Sequence, residues 1–110
     1  MEKRITFKGM DHSVSIENFI NDKLAKIEKL LLKEKGPIFF DIVMNMEHSS
    51  KLSDVEIRIN GPHFSLVAHD QEREMYSAIE KTIDKMAKEI TKMKDKRRDE
   101  ERNGDSYKSA

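Results

Sequence analysis

Phe40-Asp41-Ile42-Val43-Met44-Asn45-Met46-Glu47 alternates with a period of two. Phe40, Ile42, Met44 and Met46 fall on one side of an extended chain, and Asp41, Val43, Asn45 and Glu47 on the other. Such alternation predicts a strand buried on one face. Ser49-Ser50-Lys51 reads as a turn. Residues 53–60 then repeat the pattern, with Val55, Ile57 and Ile59 inward and Asp54, Glu56 and Arg58 outward. Asn60-Gly61-Pro62-His63 reads as the next turn, since Asn-Gly is a strong hairpin signal. Phe64, Leu66 and Ala68 make a third alternating strand. The three form an antiparallel meander with one apolar and one polar face.

Upstream, residues 3–8 also alternate, with Ile5 and Phe7 on one face, and Gly9 ends that strand. Between the two strand regions the period changes. Ile16, Ile20, Leu24, Ile27 and Leu31 recur at helical spacing over residues 14–34. Ser13 fits an N-cap, without a capping box because Ile16 stands where Glu would be needed. Gly36-Pro37 is a stop signal. Downstream, residues 69–74 are polar and read as a loop. A second helical stripe, Met75, Ile79, Ile83, Met86, Ile90 and Met93, follows and reads as core. Periodicity fades from about Arg98, which reads as a disordered tail. The predicted class is α+β, in the order β-α-β-β-β-α, with both helices on the one apolar face of a four-stranded sheet. The expected division is a domain over 1–97 and a tail over 98–110.

Composition narrows the function classes. The chain has 110 residues, which suits one domain. It has no Cys, so disulfides, thiolate metal sites and thiol catalysis are excluded. Met1-Glu2-Lys3-Arg4 is not followed by the apolar stretch of a secretory leader. No apolar run approaches the roughly 20 residues that span a bilayer. The cytosol is the expected location, with no membrane partner. Basic and acidic residues number 21 each, so the formal net charge is zero. The zero is a cancellation: residues 36–80 carry 3 basic and 8 acidic side chains, and residues 81–98 carry 8 and 3.

The positive charge has a pattern. At about 100° per residue, Lys81, Lys85, Lys88 and Lys92 lie within about 60° of one another, opposite the apolar stripe. Lys96, Arg97 and Arg98 extend the row. In the first helix Lys26, Lys29 and Lys33 also cluster within about 60°, with Lys23 nearby. Two lysine rows on adjacent helices make a surface suited to a phosphate backbone, because lysine is a mobile point charge. The same rows also fit an ordinary solvated helix face. Asp41, Glu47, Asp54 and Glu56 give the open sheet face a negative reading. His12, His48, His63 and His69 have no ligand spacing, although His63 and His69 share the last strand, so no metal is assigned. There is no glycine-rich phosphate loop and no cofactor is assigned. Tyr76 is read as packing at the start of its helix.

Three segments carry a family resemblance. Asp22-Lys23-Leu24-Ala25-Lys26-Ile27-Glu28-Lys29 is similar to the first-helix motif of bacterial ribosome hibernation promoting factors and the ribosome-associated translation inhibitor. Glu74-Met75-Tyr76-Ser77-Ala78-Ile79-Glu80 resembles their Asp-Met-Tyr-Ala-Ala-Ile-Asp signature, and residues 83–96 resemble the lysine-rich helix that follows. The resemblance covers about residues 4–97. It implies a fold similar to a double-stranded RNA-binding domain, and a non-enzymatic factor acting in stress or stationary phase. It further implies binding to the small ribosomal subunit and its rRNA at the decoding region of the whole ribosome, by a monomer that blocks messenger and tRNA. Lys23, Lys26 and Lys29 match basic positions of the first motif, and Lys85, Lys88, Lys92 and Lys96 match the second. Lys33 and Lys81 join the rRNA-binding set from helical geometry alone. Asp70, Glu72 and Glu74 depart from the family in acidity, and the tail is too short for the extra domain of the long forms. Two other readings remain: a general double-stranded RNA binder, and a small-ligand or enzyme domain using Asp54 and His63.

Overall fold

The computed structural model describes the backbone of residues 1–109 and the side chains of residues 1–101. The elements are β1 (Glu2–Lys8), α1 (Val14–Leu30), β2 (Phe39–Glu47), β3 (Leu52–Gly61), β4 (Phe64–Glu72) and α2 (Met75–Ser109). This is the β-α-β-β-β-α order that the alternating and helical periods predict. One four-stranded sheet runs β1-β2-β3-β4. The three-strand meander is antiparallel, with Ile42 opposite Ile57 and Ile57 opposite Ala68. β1 adds to it in parallel, Ile5 beside Ile42, because α1 carries the chain back across the sheet.

The inward residues of β2 and β3 meet both helical stripes in one core. Ile20, Leu24 and Ile27 of α1, Ile42, Met44 and Ile57 of the sheet, and Ile79, Met86 and Ile90 of α2 are all buried. Both helices therefore lie on the same sheet face. Two buried polar residues find backbone acceptors. The Thr82 hydroxyl donates to the Ala78 carbonyl at 2.7 Å, and the Ser53 hydroxyl donates to the Arg73 carbonyl at 3.4 Å.

Ser13 caps α1 as predicted: its Oγ accepts the Ile16 amide at 3.2 Å. Ser13→Ala leaves that amide without its cap and should destabilise the fold by about 1 kcal/mol. Urea unfolding followed by circular dichroism would show a lower midpoint at unchanged slope.

Three local expectations are corrected. Residues 69–72 are strand, not loop: Glu56 pairs with His69, Asp54 with Gln71 and Ser53 with Glu72. Their polarity misled because this end of β4 lies at the sheet's rim, where polar side chains are tolerated. The first helix stops at Leu30 rather than at residue 34. Its bonding tightens to a three-residue step, Leu31 to Glu28 at 3.1 Å and Glu34 to Leu31 at 3.0 Å, while Leu31 itself stays buried. The turn between β3 and β4 centres on Pro62-His63, since Asn60 pairs with Ser65 and Gly61 with Phe64. Gly61 lets the Phe64 ring pack close there, since a Cβ would stand 2.6 Å from it and push it aside. The backbone of α2 runs on to Ser109. The side chains beyond Glu101, where most of the expected tail lies, are outside the described residues.

Gly9 closes β1 for a backbone reason. Its φ is +67°, and a Cβ would come within 2.2 Å of the Met46 carbonyl oxygen. No helix among the described residues is long and apolar enough to cross a membrane.

Candidate nucleic-acid interface

The two helices present their polar sides together, and the lysines there divide by what they touch. On α1, Lys23 is half-buried and lies 5.2 Å from the Phe19 ring centroid. Phe19 in turn packs edge-on against Tyr76 of α2, with centroids 4.8 Å apart. Tyr76 thus packs at the interhelix seam, as its position predicts, while remaining 39% exposed. Lys26 reaches across the seam to Asp84 at 3.9 Å. Lys29 is exposed, with no carboxylate within 4.0 Å among the described residues. Lys33 is not on the helical row. Because α1 ends at Leu30, Lys33 sits in the following turn, on a groove it shares with His63 and Arg97.

On α2 the row is longer and also divided. Lys81 pairs with Glu72 of β4. Lys85 donates to the His69 carbonyl at 3.0 Å and lies 3.2 Å from the Asp70 carboxylate. Lys92 stands 3.6 Å from Glu89, one turn earlier. Lys88 and Lys96 are exposed and have no carboxylate within 4.0 Å among the described residues. Asp84 is four residues before Lys88 but pairs with Lys26 instead. The two rows therefore do not merge into one uniform sheet of charge. The flank of α2 that meets α1 carries Asp84, and the flank that overhangs β4 carries Lys81 and Lys85.

The ion pairs leave a mark on titration. Partial burial would raise the Asp70 carboxyl, but the Lys85 ammonium, the Gln71 amide and Lys81 outweigh it and hold it below its ordinary value. Hydrogen bonding to Glu72, and then its charge, raise the Lys81 ammonium above its ordinary value.

Between α2 and the β4 edge run two shallow grooves. One, of about 360 Å³, is lined in part by His69, Lys85, Lys88 and Lys92. The next, of about 340 Å³, includes His63, Lys92, Lys96 and Arg97. Arg97 does not extend the outer row as the sequence suggests. It turns into the protein, bonding Glu34 at 2.6 Å and lying 5.9 Å from the Phe64 ring centroid. It fastens α2 to the turn after α1 and to the start of β4. Helical spacing already sets Arg97 about 160° from Lys81, on the apolar side of α2, but its partner Glu34 lies 63 residues away in the chain. Arg98 pairs with Asp95 at 3.7 Å.

The open sheet face is less negative than its carboxylates suggest. Arg4 lies 3.2 Å from Asp41, and Arg58 lies 3.2 Å from Glu56. Asp54 bonds His69 at 2.5 Å and Gln71 at 2.9 Å. The pair Asp54 and His63, which the enzyme reading requires, is not brought together. Asp54 lies near one end of β3 and His63 in the turn beyond the other end, roughly 25 Å along the strand. His63 and His69 are likewise spread over roughly 20 Å of extended chain. Among the described residues, no three His, Asp or Glu side chains are placed to hold a metal ion.

What this surface can do is neutralise an extended array of negative charge. Exposed ammonium groups on long stems follow a phosphate backbone without reading base edges.

Known proteins share this architecture. The N-terminal domain of Thermus thermophilus Protein Y superposes with a TM-score of 0.71 at 16% identity, covering 84% of this chain and 99% of that one. A ribosomal subunit interface protein from Coxiella burnetii superposes with a TM-score of 0.70 at 18% identity, covering 86% and 98%. Both likenesses concern the fold. In sequence, proteins named ribosome hibernation promoting factor from Klebsiella oxytoca and Escherichia coli (strain K12) are each 30% identical over 102 residues, covering 87% of this chain and 96% of theirs. The family model described as Sigma 54 modulation protein / S30EA ribosomal protein matches residues 4–98. With nearly the whole folded unit matched, the chain belongs to the Sigma 54 modulation protein / S30EA ribosomal protein family, which includes ribosome hibernation factors.

Proposed function

We propose that this protein binds the small ribosomal subunit through the polar side of its two helices and silences translation by occupancy. The binding unit is residues 1–97. Lys23, Lys26, Lys29, Lys33, Lys81, Lys85, Lys88, Lys92 and Lys96 supply the positive charge toward rRNA phosphates. The bound protein fills the decoding region and excludes messenger and tRNA, in the cytoplasm and under stress or stationary phase. It acts as a single chain and needs no bond-making step.

One observation carries the reading. Lys88, Lys92 and Lys96 project from successive turns of α2, all exposed, and only Lys92 has a carboxylate nearby among the described residues. Four residues rise about 6 Å along a helix, so the three ammonium groups track a line of about 12 Å. A line of exposed cations in which only Lys92 is paired, in a chain of zero net charge, favours an anionic partner.

Co-sedimentation with purified small subunits across a potassium chloride series tests it. Neutralising about six phosphates predicts a slope of log K on log salt near −4 to −5. Excess plain RNA duplex should compete poorly. Equal competition by the duplex would support a general double-stranded RNA binder instead, and absence of binding at low salt would overturn the proposal.

A further inference from the structure

We infer that Asp70 and Glu72 are built-in counter-anions that occupy Lys81 and Lys85 in the unbound protein and weaken its grip on an RNA backbone. The inference rests on the helical layer being the RNA-facing side. It separates that layer into a half that is open and a half that is internally neutralised.

The geometry is a two-point register between a helix and an edge strand. Lys81 and Lys85 are one turn apart on α2, a rise of about 6 Å. Asp70 and Glu72 are two residues apart on β4, a rise of about 6.6 Å on the same strand face. That face is the inner one, shared with Leu66 and Ala68, so the two carboxylates emerge beneath the overhanging helix. Glu72 meets Lys81, and Asp70 meets Lys85 at 3.2 Å. The Lys85 ammonium is additionally anchored on the His69 carbonyl. Further along α2, Lys88 and Lys96 meet no such anion among the described residues.

The pairs are placed to yield. Both lysine side chains remain more than half exposed, at 56% and 53%, so a phosphate can approach them from solvent. The lysine ends are exposed while the Glu72 and Asp70 side chains are 30% and 20% exposed, so opening the pairs costs the fold only a modest amount. A phosphate must displace a carboxylate to gain each of these lysines, and the displaced carboxylate then repels it. Lys88, Lys92 and Lys96 therefore make first contact. Lys81 and Lys85 add less than their charge suggests.

The test compares the full chain with D70N/E72Q, K81Q/K85Q and the quadruple variant. Affinity is read on purified small subunits from 50 to 300 mM potassium chloride, and the salt needed for elution from immobilised heparin is read in parallel. D70N/E72Q should bind subunits about three- to tenfold more tightly. Its salt slope should steepen by about one to two, as two lysines become available to phosphates. It should elute later from heparin. In the K81Q/K85Q background the same carboxylate exchange should gain no more than about twofold. If D70N/E72Q has native circular dichroism and melting temperature but binds no more tightly, the inference is overturned. An equal gain with Lys81 and Lys85 already removed overturns it too, because the effect would then be one of net charge. Should the subunits not bind at all, the proposed function fails, and the heparin shift alone still decides whether the carboxylates mask the lysines.

Discussion

Reversing Lys88, Lys92 and Lys96 to Glu should reduce affinity for the small subunit more than a hundredfold. Among the described residues these are the exposed lysines of α2 that β4 does not hold. Each reversal removes a cation and installs an anion facing the same phosphates. Losing three phosphate contacts alone should flatten the salt slope by about two to three. The fold should change little, because the one pair lost, Lys92 with Glu89, is exposed and lies within α2. All three side chains are exposed, and none belongs to the buried cluster, so circular dichroism and melting temperature should stay near native. Lys85 is left out on purpose. A Glu there would face Asp70 and disturb the α2–β4 seam, confusing a lost contact with a local rearrangement. Lys51→Glu, in the turn between β2 and β3, is the control for a change of net charge away from the helices, and should cost far less. If the triple variant sediments with subunits as wild type does, the helical face is not the contact.

The element order was legible because each buried face has an unbroken period. Ile42, Met44, Val55, Ile57 and Ile59 alternate, and Ile79, Ile83, Met86 and Ile90 follow a helical step. Misreadings arose where polar residues occupy positions that face inward at a rim. Asp70 and Glu72 continue the inner row of Leu66 and Ala68, yet they are charged, so alternation of hydrophobicity could not see them. Their partners, Lys81 and Lys85, lie on another element, and no local pattern links the two. Lys33 was misplaced for the opposite reason. The apolar period runs on through Leu31 although the helical bonding has already tightened, so the sequence extends a helix that the backbone ends. The face of the candidate site was thus readable from spacing alone. Which lysines are engaged was not, because ion pairing depends on the separation of elements in space. The same limit explains Arg97. Its helical position places it near the apolar stripe, but only the packed structure brings Glu34 and Phe64 to it.

Ile57→Ala should be among the most damaging single truncations, costing about 3 kcal/mol within the 2–5 kcal/mol span of such changes. Ile57 is fully buried at the centre of the sheet, with Ile42 on one side and Ala68 on the other. Ala68 is small, so no neighbour on that side can swing over to fill the gap. Ile42 is β-branched and stiff, so it cannot easily relax either. Removing the side chain therefore loses both transfer free energy and contacts, and leaves a cavity. A domain of about this size should lose roughly 12–20 °C of melting temperature. The consequence for binding is separable from that of the lysine variants. The helices owe their common platform to the apolar face of β2 and β3, and the lysines owe their spacing to the helices. Ile57→Ala should thus lower the fraction of folded protein on warming but leave the salt slope of the folded fraction unchanged. Equal loss of binding at 10 °C, where the variant is still folded, would mean that the core does more than hold the helices in place. A melting temperature within about 3 °C of wild type would mean that Ile57 is not the central packing residue that its burial indicates.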